Sequence, residues 1–160
     1  MSNVQHDSET PAVGQQVFTA CAFIWHVFDG VRKVFLPKRA DTKKFLPGVY
    51  ELPGGHIDYG EDLKVGLARE IMEELGMHVS ISGVVDVFTY MNDIKQSQSI
   101  EVVYFAQFVD PLENIHINPE DHSTYGWFAE DELEQVYSDQ KDASDDEFKV
   151  IRKGFRKKGA

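Results

Sequence analysis

Apolar residues fall in short runs, and the spacing within the runs changes along the chain. Phe18 to Phe28 is nearly unbroken, the pattern of a central strand. Asp29-Gly30 is a two-residue hairpin signal, which makes Val31 to Pro37 the partner strand. Lys38 to Gly48 reads as a loop, and Tyr50 to Leu52 as a short strand that Pro53 ends. From Glu61 to Leu75 the period becomes helical: Leu67, Ala68, Ile71, Met72 and Leu75 form one stripe, and Gly76 is the C-terminal stop. Val79 to Met91 and Ile100 to Val109 are strands rich in Val, Phe and Tyr, joined by the polar loop Asn92 to Ser99. A loop over 110–124, a last strand over Tyr125 to Ala129 and a short helix over Glu130 to Tyr137 follow. Residues 1–14 carry no periodicity and predict a flexible tail. Residues 138–160 read as an acidic linker and then a basic helix or tail. Strands and helices in this order predict an α/β fold, an α/β/α sandwich around a mixed β-sheet, with residues 15–160 as one domain.

The predicted helix carries more than a core-facing stripe. At 100° per residue, Glu70, Glu73 and Glu74 fall within an arc of about 100° and are mutual i+3 or i+4 neighbours. Carboxylates about 4 Å apart repel by roughly 4 kcal/mol at an effective dielectric near 20. Hard oxygen ligands at this density suit Mg²⁺ or Mn²⁺. Gly66 projects from the same arc and leaves room for a metal or phosphate to approach. The alternative is a solvated acidic face supported by an Arg69–Glu73 pair. The spaced Glu61, Arg69 and the glycines Gly54 and Gly55 at the helix entry weigh against it. The two glycines also permit a turn able to aim a carbonyl at a metal.

These residues belong to one run, Gly55 to Met77, GHIDYGEDLKVGLAREIMEELGM. The run resembles the Nudix box, G-x5-E-x7-R-E-U-x-E-E-x-G-U with U bulky and apolar, at every specified position; Ile71 and Met77 fill the U positions. Common residues each occur at roughly 5–7%, so a chance match in this length is on the order of one in ten million. The resemblance, MutT-like in layout over roughly residues 15 to 137, implies a loop–helix–loop in which the Gly54 carbonyl, Glu70, Glu73 and Glu74 hold Mg²⁺ or Mn²⁺. It implies that Glu70 or Glu74 is the base, and that Glu61 and Arg69 orient the cluster through a salt bridge. The reaction implied is metal-dependent hydrolysis of a phosphoanhydride in a nucleoside diphosphate linked to another group.

Weaker candidates lie outside the run. In MutT-like relatives a basic residue at the end of the second strand contacts substrate, and Arg39, after Lys38, stands there; a solvated strand end is the other reading. Glu120 and Asp121 precede the last strand, where relatives often place an acidic group that completes the metal site or acts as base; a polar loop is the alternative for both. Glu101 is read as the outward face of an alternating strand, with an extra metal ligand as the other reading. Trp127 is expected in the core, and the basic residues Arg152, Lys153, Arg156, Lys157 and Lys158 in a solvated tail. Subgroup markers for ADP-ribose or diadenosine polyphosphates, a Pro or Tyr sixteen or eighteen residues past the box, are replaced by Asp93 and Lys95. The NADH pyrophosphatase marker is also missing. A nucleoside triphosphate or related small nucleotide is therefore favoured.

Composition narrows the partners. With 27 acidic against 16 basic residues, the formal net charge is −11. That balance argues against general nucleic-acid or anionic-membrane binding. No run of 18 apolar residues and no signal-peptide pattern occurs, so a cytoplasmic location is expected. The single cysteine, Cys21, excludes an internal disulfide framework and reads as a buried structural thiol. Isomerisation on the same fold, which needs a catalytic cysteine in an added motif, is rejected on that ground. A nucleotide-sensing domain without turnover is the rival kept open, although such relatives usually carry damaged boxes. A homodimer, common among relatives, has no sequence signal here.

Overall fold

The computed structural model describes residues 9–157. Among these residues six strands and two α-helices occur in the order β1 (Gln16–Phe28), β2 (Val31–Arg39), β3 (Gly54–His56), α1 (Leu63–Leu75), β4 (Val79–Asn92), β5 (Ser97–Phe108), β6 (His122–Phe128) and α2 (Asp146–Arg156). The strands run β4-β5-β1-β2-β6 across one sheet, and β3 pairs with β1. The β1–β5 pairing is parallel and the others antiparallel, so the sheet is mixed. The fold is α/β, as predicted.

Alternation along β1 divides the core. Ala20, Ala22 and Ile24 face α1 and pack with Leu67, Ile71 and Leu75, all within one apolar cluster. Cys21 and Phe23 face the other way and pack with Phe148 and Ile151 of α2. β5 repeats the division, with Val102 and Tyr104 toward α1 and Val103 and Phe105 toward α2. The turn at Asp29-Gly30 has φ of 48° and 80°, the left-handed backbone this hairpin needs. Asp62 caps α1 by accepting from Lys64 N and Val65 N, and Gly76 closes it in the left-handed region at φ 65°.

Several expectations are corrected. The short strand lies at Gly54–His56 rather than Tyr50–Leu52; Tyr50 makes only an isolated bridge to Lys38. Glu130–Val136 is 3₁₀ rather than α-helical. Met72 is exposed and outside the stripe. Of the proposed tail, residues 1–8 lie outside the described residues. Residues 9–14 are docked: Ala12 N donates to Lys95 O and Gly14 N to Gln96 O. The acidic stretch before α2 is not a solvated linker, and α2 is not a solvated tail. Lys141 and Glu147 are buried, and Phe148, Val150 and Ile151 are core residues. Arg152 bonds Tyr137, Lys153 pairs with Asp86, Arg156 with Glu130, and Lys157 donates to Val84 and Val85 carbonyls. Lys158 is outside the described residues. Trp127 packs against Phe28, Phe35 and Phe108, as expected of a core ring.

Candidate active site

A cavity of about 480 Å³ opens where β3, α1, the loop after β2 and the start of α2 converge. The last turns of α1 supply Glu70, Glu73 and Glu74 to its wall, and β3 supplies Gly54 and Gly55. Thus the helix spacing read from the sequence does bring the three carboxylates to one place.

Arg69 organises this end. Its Nε and Nη2 donate to Glu61 Oε2 and Oε1 at 2.8 and 3.0 Å, a bidentate pair. Its Nη1 donates to Glu70 at 3.1 Å and to both Glu73 oxygens at 3.3 Å. Nη2 also reaches the His56 carbonyl at 3.1 Å, which ties α1 to β3. The salt bridge expected between Glu61 and Arg69 is therefore present. Gly66 does not leave space for a ligand: a Cβ there would lie 2.6 Å from both Glu61 Oε1 and Ile57 Cδ1. Its missing side chain makes room for the orienting Glu61.

Glu74 is 7% exposed, receives Gly54 N at 3.4 Å, and lies 4.0 Å from His122 Nδ1. Burial raises its pKa well above the usual carboxylate range, and the neighbouring Glu51, Glu70 and Asp121 raise it further. Glu70 is pushed up to about 7, mainly by burial and then by Glu73, against the lowering effect of Arg69. Both shifts mark negative charge that the protein's own cations do not neutralise. Around the whole cavity, Arg39, Lys43 and Lys141 face nine carboxylates. A hard divalent cation fits a donor set this rich in carboxylate oxygens.

The weaker candidates separate. Asp121 lines the cavity and pairs with Lys43 at 3.2 Å. Glu120 is exposed on the neighbouring turn and does not line the cavity. Arg39 lines it, but its Nη1 lies 3.3 Å from Glu51 and its Nε donates to Phe45 O at 3.0 Å, so it holds the wall together. Glu101 is 4% exposed and faces the cavity, not solvent. Cys21 is buried as expected, yet it also lines the cavity. Burial and then Glu101 raise its thiol pKa, which disfavours the nucleophilic thiolate.

Four lining or supporting residues have no counterpart in the sequence reading. Glu51 accepts from His122 Nε2 at 2.8 Å and pairs with Arg39. Burial opposes its charge, but Arg39, His122 and Lys141 outweigh that and hold its pKa near 2. Lys141 Nζ lies 2.7 Å from Glu147 Oε1, which also accepts Leu52 N at 3.0 Å. The one available signal was compositional: a lone Lys141 inside an acidic stretch.

The NUDIX domain family model matches residues 17–152. The chain belongs to the Nudix hydrolase family. As a member it is a pyrophosphohydrolase. Among curated relatives, the nucleoside triphosphatases NudI of Salmonella paratyphi B and Salmonella newport are 32% identical over 106 residues, covering 61% of this chain and 74% of theirs. Among solved structures, a MutT NUDIX hydrolase from Burkholderia pseudomallei is 26% identical with a TM-score of 0.68, covering 87% of this chain and 98% of its own. The NUDIX domain of Shewanella oneidensis NrtR, solved with ADP ribose, is 20% identical with a TM-score of 0.67, covers 88% of this chain and 87% of its own, and shows the shared fold. Among the described residues, no helix is long and apolar enough to cross a membrane.

Proposed function

We propose that this enzyme hydrolyses nucleoside triphosphates or closely related small nucleotides in a divalent-metal-dependent reaction. The observation that carries the reading is the two-ended cavity. One end gathers Glu70, Glu73 and Glu74, and the other is walled by Phe45, Phe88 and Tyr90. The first suits a polyphosphate and the second a flat base. The likeness to NudI supports the same substrate class.

Glu70, Glu73, Glu74 and the Gly54 carbonyl would hold Mg²⁺ or Mn²⁺, which neutralises phosphate charge and makes bound water more acidic when present. Glu70 or Glu74 takes the proton from the attacking water. Arg69, fixed by Glu61, keeps Glu70 and Glu73 in position. Lys43, oriented by Asp121, is the cation beside the phosphates, and Arg39 adds its charge from the wall while it holds Glu51. Because phosphoryl transfer depends mainly on positioning and charge neutralisation, this set suffices.

The test is a hydrolysis screen with Mg²⁺ over nucleoside triphosphates, ADP-ribose, nucleotide sugars, dinucleoside polyphosphates and NADH, reading phosphate or pyrophosphate. A triphosphate should rank first, and EDTA should abolish turnover. A non-triphosphate ranking first, or turnover that survives EDTA, overturns the proposal.

A further inference from the structure

The backbone that leads into Gly54 is held on one edge by main chain and on the other by side chains. On the β2 side, Arg39 N donates to Val49 O at 2.8 Å and Glu51 N to Pro37 O at 3.0 Å. In an extended segment the C=O of one residue and the N–H two residues on point to the same edge, so Tyr50 O and Leu52 N face away from β2. Among the described residues no strand meets them there. Lys141 Nζ donates to Tyr50 O at 2.9 Å, and Glu147 Oε1 accepts from Leu52 N at 3.0 Å. An ammonium and a carboxylate thus fill the donor and acceptor places that a neighbouring strand would supply.

Both side chains are held firmly. Lys141 is 5% exposed and Glu147 8%, and they lie 2.7 Å apart. Lys141 sits in a turn closed by two bonds with Ser138, and its Nζ stands over the Phe148 ring at 5.1 Å. Glu147 belongs to the first turn of α2. Glu101 on β5, kept protonated by burial and by the Glu147 charge, hydrogen-bonds Glu147 as well. Holding the fold together does not account for the pair, because apolar residues of similar size often replace a buried ion pair at no loss of stability. Apolar side chains could bond neither Tyr50 O nor Leu52 N.

The far end of the segment reaches the carboxylates. Pro53 O accepts from Ala22 N at 2.9 Å, and Gly54 N turns to Glu74 Oε2 at 3.4 Å. Leu52 therefore anchors the chain two residues before Gly54. We propose that Lys141 and Glu147 are positioning residues for the metal site: by bonding Tyr50 O and Leu52 N they fix the segment that presents the Gly54 carbonyl, and so set the affinity for the divalent cation. The inference rests on the reading above, in which that carbonyl holds the cation. Groups that orient a metal ligand from behind change affinity by about 10–100-fold.

The test measures Mn²⁺ dissociation constants by calorimetry, with thermal unfolding and amide exchange beside them, for wild type, Glu147→Gln and the double variant Lys141→Met/Glu147→Leu. The double variant removes one charge of each sign, so the net charge beside the metal site is unchanged. Its apolar pair should leave Tm at or above the wild-type value. It should nevertheless bind Mn²⁺ about 10–100-fold more weakly. Its Leu52 amide should exchange faster, while the Glu51 amide, bonded to Pro37 O, does not. Glu147→Gln keeps an acceptor for Leu52 N and should bind within about threefold of wild type. A double variant that binds as tightly as the glutamine variant, a glutamine variant as weak as the double one, or a Leu52 amide that exchanges no faster overturns the proposal. Glu147→Ala takes the place of the double variant, with the same limits, if that chain does not fold. Failure of wild type to bind Mn²⁺ sinks the metal-dependent reading itself, whereas wild-type binding that both variants leave unchanged sinks this inference alone.

Discussion

Gly55→Ala should separate activity from stability. Gly55 has no positive φ, so its backbone accepts alanine, but the new Cβ would lie 2.5 Å from Glu70 Oε2 and 2.7 Å from its carboxyl carbon. An ordinary contact is about 3.4 Å or more, so the carboxylate must withdraw by about 0.9 Å. The group displaced is the far end of a flexible side chain, held by Arg69 at 3.1 Å. Weakening that bond costs about 1–2 kcal/mol, and alanine recovers about 0.4–1 through the unfolded state. At about 2–4 °C per kcal/mol for a chain of this size, Tm should move by less than about 8 °C. A displacement near 1 Å at a reacting centre costs on the order of 10²-fold, so kcat/KM should fall about a hundredfold. Gly54→Ala is the contrast. Its φ is +144°, and a Cβ would stand 2.1 Å from Ala20 O, which is backbone and cannot yield. That variant should lose more than about 3 kcal/mol or fail to fold. The assay is pyrophosphate release from the best triphosphate, beside thermal unfolding. Gly55→Ala within threefold of wild-type kcat/KM refutes the placement of Glu70 in the reaction. Equal destabilisation by both variants refutes the claim that the side chain yields.

Two further outcomes follow from the buried charges. Glu74→Gln should lower kcat by about 10²–10⁴-fold, while Tm in EDTA stays level or rises, because Glu51, Glu70 and Asp121 already disfavour a charge there; more than a tenth of wild-type turnover would contradict its role. Glu51 titrates near 2 when folded against an ordinary 4.5, so its contribution is full above about pH 4.5 and lost as pH falls toward 2. A difference of about 2.5 pK units is worth about 3 kcal/mol. In urea unfolding with EDTA, the gap between wild type and Glu51→Gln should narrow by about 2 kcal/mol from pH 6 to pH 3, and a constant gap would show that Glu51 is not held charged.

The fold and half of the site were legible because their signals are local. The helix spacing that aligns Glu70, Glu73 and Glu74 also carries the core stripe, and the Asp29-Gly30 turn fixes the first hairpin. Glu101 shows where locality ends. Strand alternation separates it correctly from Val102 and Tyr104, but alternation says which residues share a face, not which faces are covered. The covering element is α2, whose charged sequence read as a tail. Its amphipathic packing through Phe148 and Ile151 overrides that reading. Glu51 and His122 meet across 71 positions of sequence, and no spacing rule reaches that far. Gly66 was assigned to the right surface but the wrong occupant, since Glu61 folds into the space.

The bonds from Lys141 and Glu147 back to Tyr50 and Leu52 span 91 and 95 positions. Contacts of such separation close large loops, and these are slow to form. The Nudix box can be synthesised, wound into its helix and capped before any of the cavity floor exists. Maturation of the pocket therefore waits on α2 and the residues just before it, and a chain interrupted after β6 would hold every box residue and no finished site. Fraying of α2 alone would reopen it, so α2 makes activity a report on whether its own docking is complete.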